Sequence, residues 1–166
     1  GLEQCPASAL QVLLQYEGRR SFLQKCSIKG QLPIHYVAAV GHREEERYAL
    51  QGDDDERCPY LDRLEWLVEE FPETCRIRNR NGQLAIHVAA ISGMSVAGLQ
   101  PMVTAWPDCL YQRDGVKLLP PVLGGAQALP LNEIYFLLLS APDALAACRQ
   151  SNGVVSTENA KDLKAK

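Results

Sequence analysis

The hexapeptide GQLPIH at residues 30–35 returns almost unchanged as GQLAIH at residues 82–87. Such a repetition indicates either a duplicated active site or a duplicated structural unit. A second repetition favours the structural unit, because three proline–acid pairs stand 35 residues apart: Pro72-Glu73, Pro107-Asp108 and Pro142-Asp143. Periods of roughly 20 to 50 residues are typical of arrays in which each unit completes the core of its neighbour.

Apolar residues at helical spacing precede each proline of this series. We expect each set to form the buried face of one helix; the sets are Leu64, Leu67 and Val68, then Leu99, Met102 and Val103, then Ile134, Leu137 and Leu138. Polar stretches with a glycine follow, as in NRNG at 79–82 and RDG at 113–115. Because glycine adopts positive φ without steric cost, we expect Gly82 and Gly115 to close tight turns.

The segment LPIHYVA at residues 32–38, followed by Gly41 and His42, resembles the TPLHxAA and GH signature of the ankyrin repeat. The segment LAIHVAA at residues 84–90, followed by Gly93, is similar to it at the same offsets. The resemblance covers roughly residues 7–162 and implies an all-α fold: a short ankyrin-like solenoid of stacked helix-turn-helix repeats with finger turns. It also implies structural roles for Pro33, His35, Gly41, His87 and Gly93.

The spacing predicts a single domain over residues 1–166. It has a partial unit at 7–29, full units at 30–81, 82–115 and 116–152, and a polar C-terminal cap at 153–166. The first spacing is 52 residues rather than 35, which predicts an inserted acidic loop at 51–60. The third unit lacks the motif histidine and carries Gly124-Gly125, so we expect its first helix to be short or irregular.

The residues that could do chemistry are already explained by the repeat. All three histidines, His35, His42 and His87, lie at motif positions, which leaves no base to activate a serine or cysteine. Neither glycine-rich phosphate-binding signature occurs. The acidic run at 53–56 lacks the ligand spacing of a calcium loop, so a solvated loop is favoured over a cation site. We expect no enzyme, cofactor, metal or small-molecule substrate.

Net charge, apolar runs and cysteine spacing indicate which surfaces and which compartment to expect for this protein. The net charge of −3 does not favour a nucleic-acid surface over the whole protein. The longest apolar run, 134–139, is far below the roughly 20 residues of a membrane-spanning helix, and no secretory signal is visible after Gly1, although a leader could have preceded it. Six widely spaced cysteines favour free thiols, with one disulfide left open, and an intracellular reducing compartment, either the cytoplasm or an organelle interior.

Protein binding is therefore the expected function, and its surface is expected at the turns and first helices. The candidate partner-binding residues are Gln31, Arg78, Arg80, Asn81, Gln83, Ser92, Met94 and Arg113. Residues Arg76, Arg78 and Arg80 alternate, so in an extended segment they would point to one side. They are either solvated charges, a contact for an acidic protein or, as a more distant alternative, a contact for RNA phosphates. Trp66 is either an exposed anchor or packed beneath the acidic loop.

Two forms of this function remain open. One is an accessory subunit docked in a multi-subunit protein assembly, and the other is a free-standing adaptor that binds a regulatory partner reversibly. The irregular third unit and the small number of repeats favour the subunit, because contacts outside the chain can stabilise a marginal array.

Overall fold

The computed structural model describes residues 31–50, 58–127, 129–144 and 146. Within these ranges the chain is all-helical, with no strand. Its α helices are α1 (Pro33–Leu50), α2 (Pro59–Glu70), α3 (Ala85–Ser92), α4 (Val96–Ala105), α5 (Pro120–Ala126) and α6 (Leu131–Ser140). Short 3₁₀ helices at Pro72–Arg76 and Pro107–Tyr111 follow α2 and α4. The predicted partial unit, the acidic run and the C-terminal cap lie outside the described residues.

The helices form two layers. Helices α1, α3 and α5 pack side by side in the first layer, and α2, α4 and α6 pack side by side in the second. Consecutive helices pair across the layers, as α1 with α2, α3 with α4 and α5 with α6. The core lies between the layers, and α3 is its centre, because every residue from 85 to 90 is buried. None of these described helices is long and apolar enough to span a bilayer.

The predicted apolar faces explain how the second layer is held. All six residues of the first two sets, in α2 and α4, are buried. In α6 only the central position of the set, Leu137, is fully buried, while Ile134 and Leu138 are half-buried. Burying such side chains is the main stabilising contribution to the fold, at about 1.5 to 3 kcal/mol for each large one. The third unit therefore has the weakest apolar anchoring in this layer.

The first repeat is longer than the others, and part of its additional length lies in α1. Helix α3 ends where Gly93 takes a left-handed φ of 81°, but the matching Gly41 lies inside α1, which continues to Leu50. On the other side α2 begins at Pro59, where proline suits the first helical position. The insertion therefore includes the last turns of α1, and Pro59 and Tyr60 belong to α2 rather than to a loop.

The first helix of the third unit is short. Helix α5 has seven residues and begins with Pro120 and Pro121. A Cβ at Gly124 would overlap the side chain of Leu129, so the chain between α5 and α6 passes directly against the helix. Gly125 has open space around it, and its lack of a side chain serves no packing purpose.

Candidate binding surfaces

Two hairpins project from the helical layers with the same hydrogen-bond pattern. Asn79 and Asp114, 35 residues apart, are both buried. The Oδ1 atom of each accepts backbone N–H groups two and four residues later, at distances of 2.8 to 3.0 Å. Each residue also donates its own N–H to the carbonyl four residues on, at 2.8 and 2.9 Å. We call residues 78–83 and 113–118 the hairpin edge.

The left-handed residue of each hairpin occupies the same position but is not the same amino acid. Gly82 has a φ of 71°, as predicted, whereas in the second hairpin Lys117 has a φ of 67°. The prediction that Gly115 supplies this conformation is therefore wrong. Gly115 is needed for a different reason, since a Cβ there would overlap the carbonyl oxygen of Asn81 in the neighbouring hairpin.

Two buried imidazoles join the helices to the hairpins. His35 and His87 are fully buried, and the Nδ1 atom of each accepts the backbone N–H three residues earlier, at 3.3 and 3.0 Å. With Nδ1 accepting, Nε2 carries the hydrogen and donates to the carbonyl of Gln83 at 3.1 Å and of Gln112 at 3.0 Å, respectively. Burial lowers the pKa of His87 to about 4 and also lowers the pKa of His35. Both are neutral structural groups at neutral pH.

The three alternating arginines do not share one side. Arg76 ends a 3₁₀ helix, and its guanidinium lies over the Trp106 ring, 5.5 Å from the centroid. Arg78 donates through Nη1 to one carbonyl of its own hairpin at 2.7 Å and to one of the next hairpin at 2.6 Å. Arg80 is exposed at the hairpin tip. The predicted row assumed an extended segment over all three arginines, and that assumption is wrong, because Arg76 ends a 3₁₀ helix and Arg80 lies in the turn.

One predicted partner-binding residue, Met94, lies inside the protein. Met94 is fully buried against Gly41 and Gly98, because the left-handed Gly93 ends α3 and turns the chain under the helices. Ser92 is half-buried, and its Oγ atom lies 2.7 Å from the Ala38 carbonyl and 2.6 Å from a carbonyl of its own helix. The Met94 side chain is therefore a core residue, whereas the Ser92 hydroxyl joins α3 to α1.

The remaining predicted contacts lie along the hairpin edge, except Gln31, which precedes α1. Arg80 and Asn81 are exposed, whereas Gln31, Gln83 and Arg113 are half-buried. The Arg113 guanidinium donates to a carbonyl of its own hairpin at 2.9 Å. Most hydrogen bonds of the hairpin edge lie within one hairpin, and Arg78 joins the two hairpins through the Arg113 carbonyl.

One polar contact between repeats was missed in the sequence. Glu45, in the extended part of α1, accepts the N–H of Ser95 at 3.1 Å and its hydroxyl hydrogen at 2.8 Å. Ser95 is the N-cap of α4, so a remote carboxylate satisfies the positive end of that helix. Ser95 ahead of an apolar run was the available signal, but its partner is set by tertiary packing.

The buried thiols do not form a reactive site. Cys58, Cys75 and Cys109 are free, and Cys5, Cys26 and Cys148 lie outside the described residues. Burial raises the pKa of Cys75 to about 11 and that of Cys109 to about 12, so both stay protonated at neutral pH. In the described part of the chain, no three metal-ligating side chains come together.

The second layer has an open groove between α2 and α4. Its volume is about 530 Å³. On the α4 side, small side chains such as those of Ala97 and Ala105 leave this space open. The lining residues are Glu65, Val68, Glu69, Pro72, Ala97, Gln100, Pro101, Thr104 and Ala105. We call it the α2/α4 groove. It had no counterpart among the predicted sites, because its walls belong to helices from different repeats.

Helix α6 carries an exposed apolar stripe. Leu131, Tyr135 and Leu139 follow one another at every fourth residue and are 79%, 62% and 62% exposed. Tyr135 and Leu139 stand 35 residues after Gln100 and Thr104, which are polar, whereas Leu131 stands 35 residues after Val96 in α4. We call Leu131, Tyr135 and Leu139 the α6 stripe. The repeat does not require apolar residues at the positions of Tyr135 and Leu139, so their presence in α6 needs a separate reason.

Comparison with known proteins supplies no relative that would assign a function. No known family model matches the chain, and no curated protein matches it at a significant level. The functional inference therefore depends on the two surfaces of the second layer and on the hairpin edge.

Proposed function

We propose that this chain is a non-enzymatic protein-binding module built from ankyrin-like repeats and that it acts as an accessory subunit docked in a larger protein assembly. The observation that carries the proposal is the α6 stripe. Contiguous exposed apolar side chains on a protein surface mark interaction sites. The stripe combines two leucines with a tyrosine, a residue type enriched at interfaces because its ring buries a large area and its hydroxyl stays hydrated.

The repeated contacts support the ankyrin-like description. The two hairpins share one hydrogen-bond pattern. The buried imidazole of His35 bonds to the carbonyl of Gln83, at the end of the first hairpin, and that of His87 bonds to the carbonyl of Gln112, just before the second hairpin. The first helices of the repeats pack side by side in one layer, and the second helices pack side by side in the other layer. In such an array each repeat is stable only beside its neighbours.

The energy available from the α6 stripe favours docking within an assembly. Full burial of three such side chains contributes about 4.5 to 9 kcal/mol at roughly 1.5 to 3 kcal/mol each. The stripe can contribute only part of this, because its side chains are already partly buried and only 62% to 79% exposed. Association of two proteins costs about 4 to 15 kcal/mol in lost freedom. The stripe is therefore one part of a larger interface, as in an assembly where several contacts hold the subunit.

A reversible adaptor is the alternative, and it would use the hairpin edge. Arg80 and Asn81 are exposed there and are polar. RNA contact has less support, because the guanidinium groups of Arg76 and Arg78 are occupied by Trp106 and by backbone carbonyls.

The test compares two double variants of the tagged chain, expressed in its native cells. The stripe variant is Tyr135→Glu with Leu139→Lys, and the control makes the same charge changes as Ala126→Glu with Gln127→Lys, two exposed residues at the end of α5 that belong to neither the α6 stripe nor the groove between α2 and α4. We expect the wild type and the control to migrate in native electrophoresis within a complex much larger than the 18.3 kDa chain. The stripe variant should migrate as the free chain with unchanged circular dichroism.

Two results would count against this proposal. If the stripe variant stays in the complex, the stripe is not the docking surface. If the wild type migrates as the free chain, the adaptor is favoured over the subunit.

A further inference from the structure

The α2/α4 groove exists because of one difference between repeats. Pro101 lines the groove on α4, and the residue 35 positions later is Phe136 on α6. Phe136 is half-buried and packs against the hydrophobic core, so α6 carries a large side chain where α4 carries Pro101. Between α2 and α4 the smaller proline, together with Ala97 and Ala105, leaves about 530 Å³ open. That volume is in the range of about 300 to 1,000 Å³ found for ligand sites.

Four polar side chains line the groove: Glu65 and Glu69 carry acceptor oxygens, and Gln100 and Thr104 can donate as well as accept. Glu65 and Glu69 stand on the α2 side. Pro101 has no N–H, so it cannot donate to the carbonyl of Ala97, which also lines the groove. A ligand that carries N–H donors therefore complements the carboxylates of the groove.

The surroundings of the groove are negatively charged. The segment 59–73, which forms α2 and the start of the following 3₁₀ helix, carries five acidic residues and one basic residue, Arg63. Three acidic residues of this segment besides Glu69 are exposed: Asp62, Glu70 and Glu73. Charges of one sign around a concave apolar surface attract an oppositely charged ligand, because low-dielectric walls concentrate the field.

We propose that the α2/α4 groove binds a basic amphipathic segment of a partner protein. An aliphatic side chain of that segment packs on Val68, Pro72 and Ala105. A lysine or arginine side chain one helical turn away pairs with the exposed Glu69, and charge-assisted hydrogen bonds to carboxylates are stronger than neutral ones. Recognition of this kind places apolar anchors at helical spacing in a groove, with charges at its rim.

The site is separate from the α6 stripe, so the two proposals can fail independently. Its test uses a fluorescein-labelled peptide of leucine and lysine patterned as an amphipathic helix, and a control peptide in which glutamate replaces lysine. Binding to the full chain is measured by fluorescence anisotropy at low and at physiological salt. We expect the lysine peptide to bind, the glutamate peptide to fail, and added salt to weaken binding.

Three variants locate the peptide. Glu69→Lys changes a groove charge, and Asp143→Lys makes the same charge change on an exposed residue beyond α6. Pro101→Phe places at this position the residue found 35 positions later and restores the missing N–H. We expect Glu69→Lys and Pro101→Phe each to weaken binding by about tenfold, which corresponds to about 1.4 kcal/mol. Asp143→Lys should change it by less than about threefold.

The proposal is overturned if Glu69→Lys and Asp143→Lys weaken binding equally, because the contact would then be a general charge effect. It is also overturned if folded Pro101→Phe binds as well as the wild type, or if sedimentation shows that the groove holds a second copy of the chain. Should Pro101→Phe not fold, Ala97→Trp blocks the same groove from an exposed position. The stripe variant Tyr135→Glu with Leu139→Lys should bind the peptide normally.

Discussion

At the hairpin edge, polar groups are bonded within each hairpin and, through Arg78, to the next hairpin, whereas the second layer leaves a groove open and three large apolar side chains exposed. Arg78 links two hairpins, and Gly115 lets them touch. By contrast, the α2/α4 groove and the α6 stripe arise where single residues depart from the repeat. The comparison teaches that repeated residues hold this array together, and that residues breaking the repeat are the better candidates for contacts with partners.

The strongest way to break this comparison is to remove a repeated contact. His87→Ala leaves a buried N–H and the Gln112 carbonyl without a partner and opens a cavity. We expect the free energy of unfolding to fall by about 3 kcal/mol or more, because each orphaned buried group costs about 1 to 3 kcal/mol. Urea unfolding followed by circular dichroism measures the change.

The control is His42→Ala. His42 is half-buried and faces Glu46 at 3.2 Å on the same helix. Loss of a surface pair of this kind costs at most about 1 kcal/mol. Equal losses from the two histidine variants would show that the buried imidazole is not a special link between repeats.

The same imidazole makes the array sensitive to acid. The pKa of His87 is about 4 in the folded chain, below its usual 6.5, so the unfolded chain takes up the proton first. The stabilisation is complete above pH 6.5 and is lost as the pH falls towards 4, by about 3 kcal/mol. Urea midpoints measured across this range should decrease with acid, and His87→Gln should flatten that dependence.

Two glycine-to-alanine variants, one at the contact between the hairpins and one in open space, test that contact further. Gly115→Ala places a Cβ against the Asn81 carbonyl, and we expect a loss of about 1 to 3 kcal/mol. Gly125→Ala meets open space in a helix and should raise stability by about 0.5 to 1 kcal/mol. Opposite shifts in melting temperature are the expected result, and shifts of the same sign would contradict the proposed contact between hairpins.

The smallest expected effect concerns the left-handed lysine. Lys117→Gly removes the steric cost of a side chain at positive φ, so we expect a gain of up to about 1 kcal/mol. Val116→Gly, at the preceding position, should give no gain. Both are read from melting temperatures, and equal shifts would show that the backbone at Lys117 costs nothing.

The parts of the fold that repeat were predictable from the sequence. Helix faces follow from apolar spacing, and Asn79 and Asp114 follow from the 35-residue period. The position of the left-handed residue was missed because glycine was assumed to mark it, whereas aligning the buried Asn79 with Asp114 places it at Lys117. The position within the 35-residue repeat therefore predicts the left-handed residue better than the residue type does.

The candidate surfaces were less predictable, because they depend on which helices become neighbours. The sequence analysis predicted that Met94 is a surface residue, yet the turn at Gly93 directs its side chain into the core. The α2/α4 groove needs two helices from different repeats, so no local pattern marks it. The α6 stripe, however, was visible as Leu131, Tyr135 and Leu139 once the face of α6 was compared with that of α4.

Hydrogen–deuterium exchange, measured on the free chain and on the chain within its native assembly, tests the central claim most directly. If the second layer is the docking surface, backbone amides of α6 (Leu131–Ser140) gain protection in the assembly while those of the hairpin edge do not change. Protection confined to residues 78–83 and 113–118, with α6 unchanged, would contradict the account.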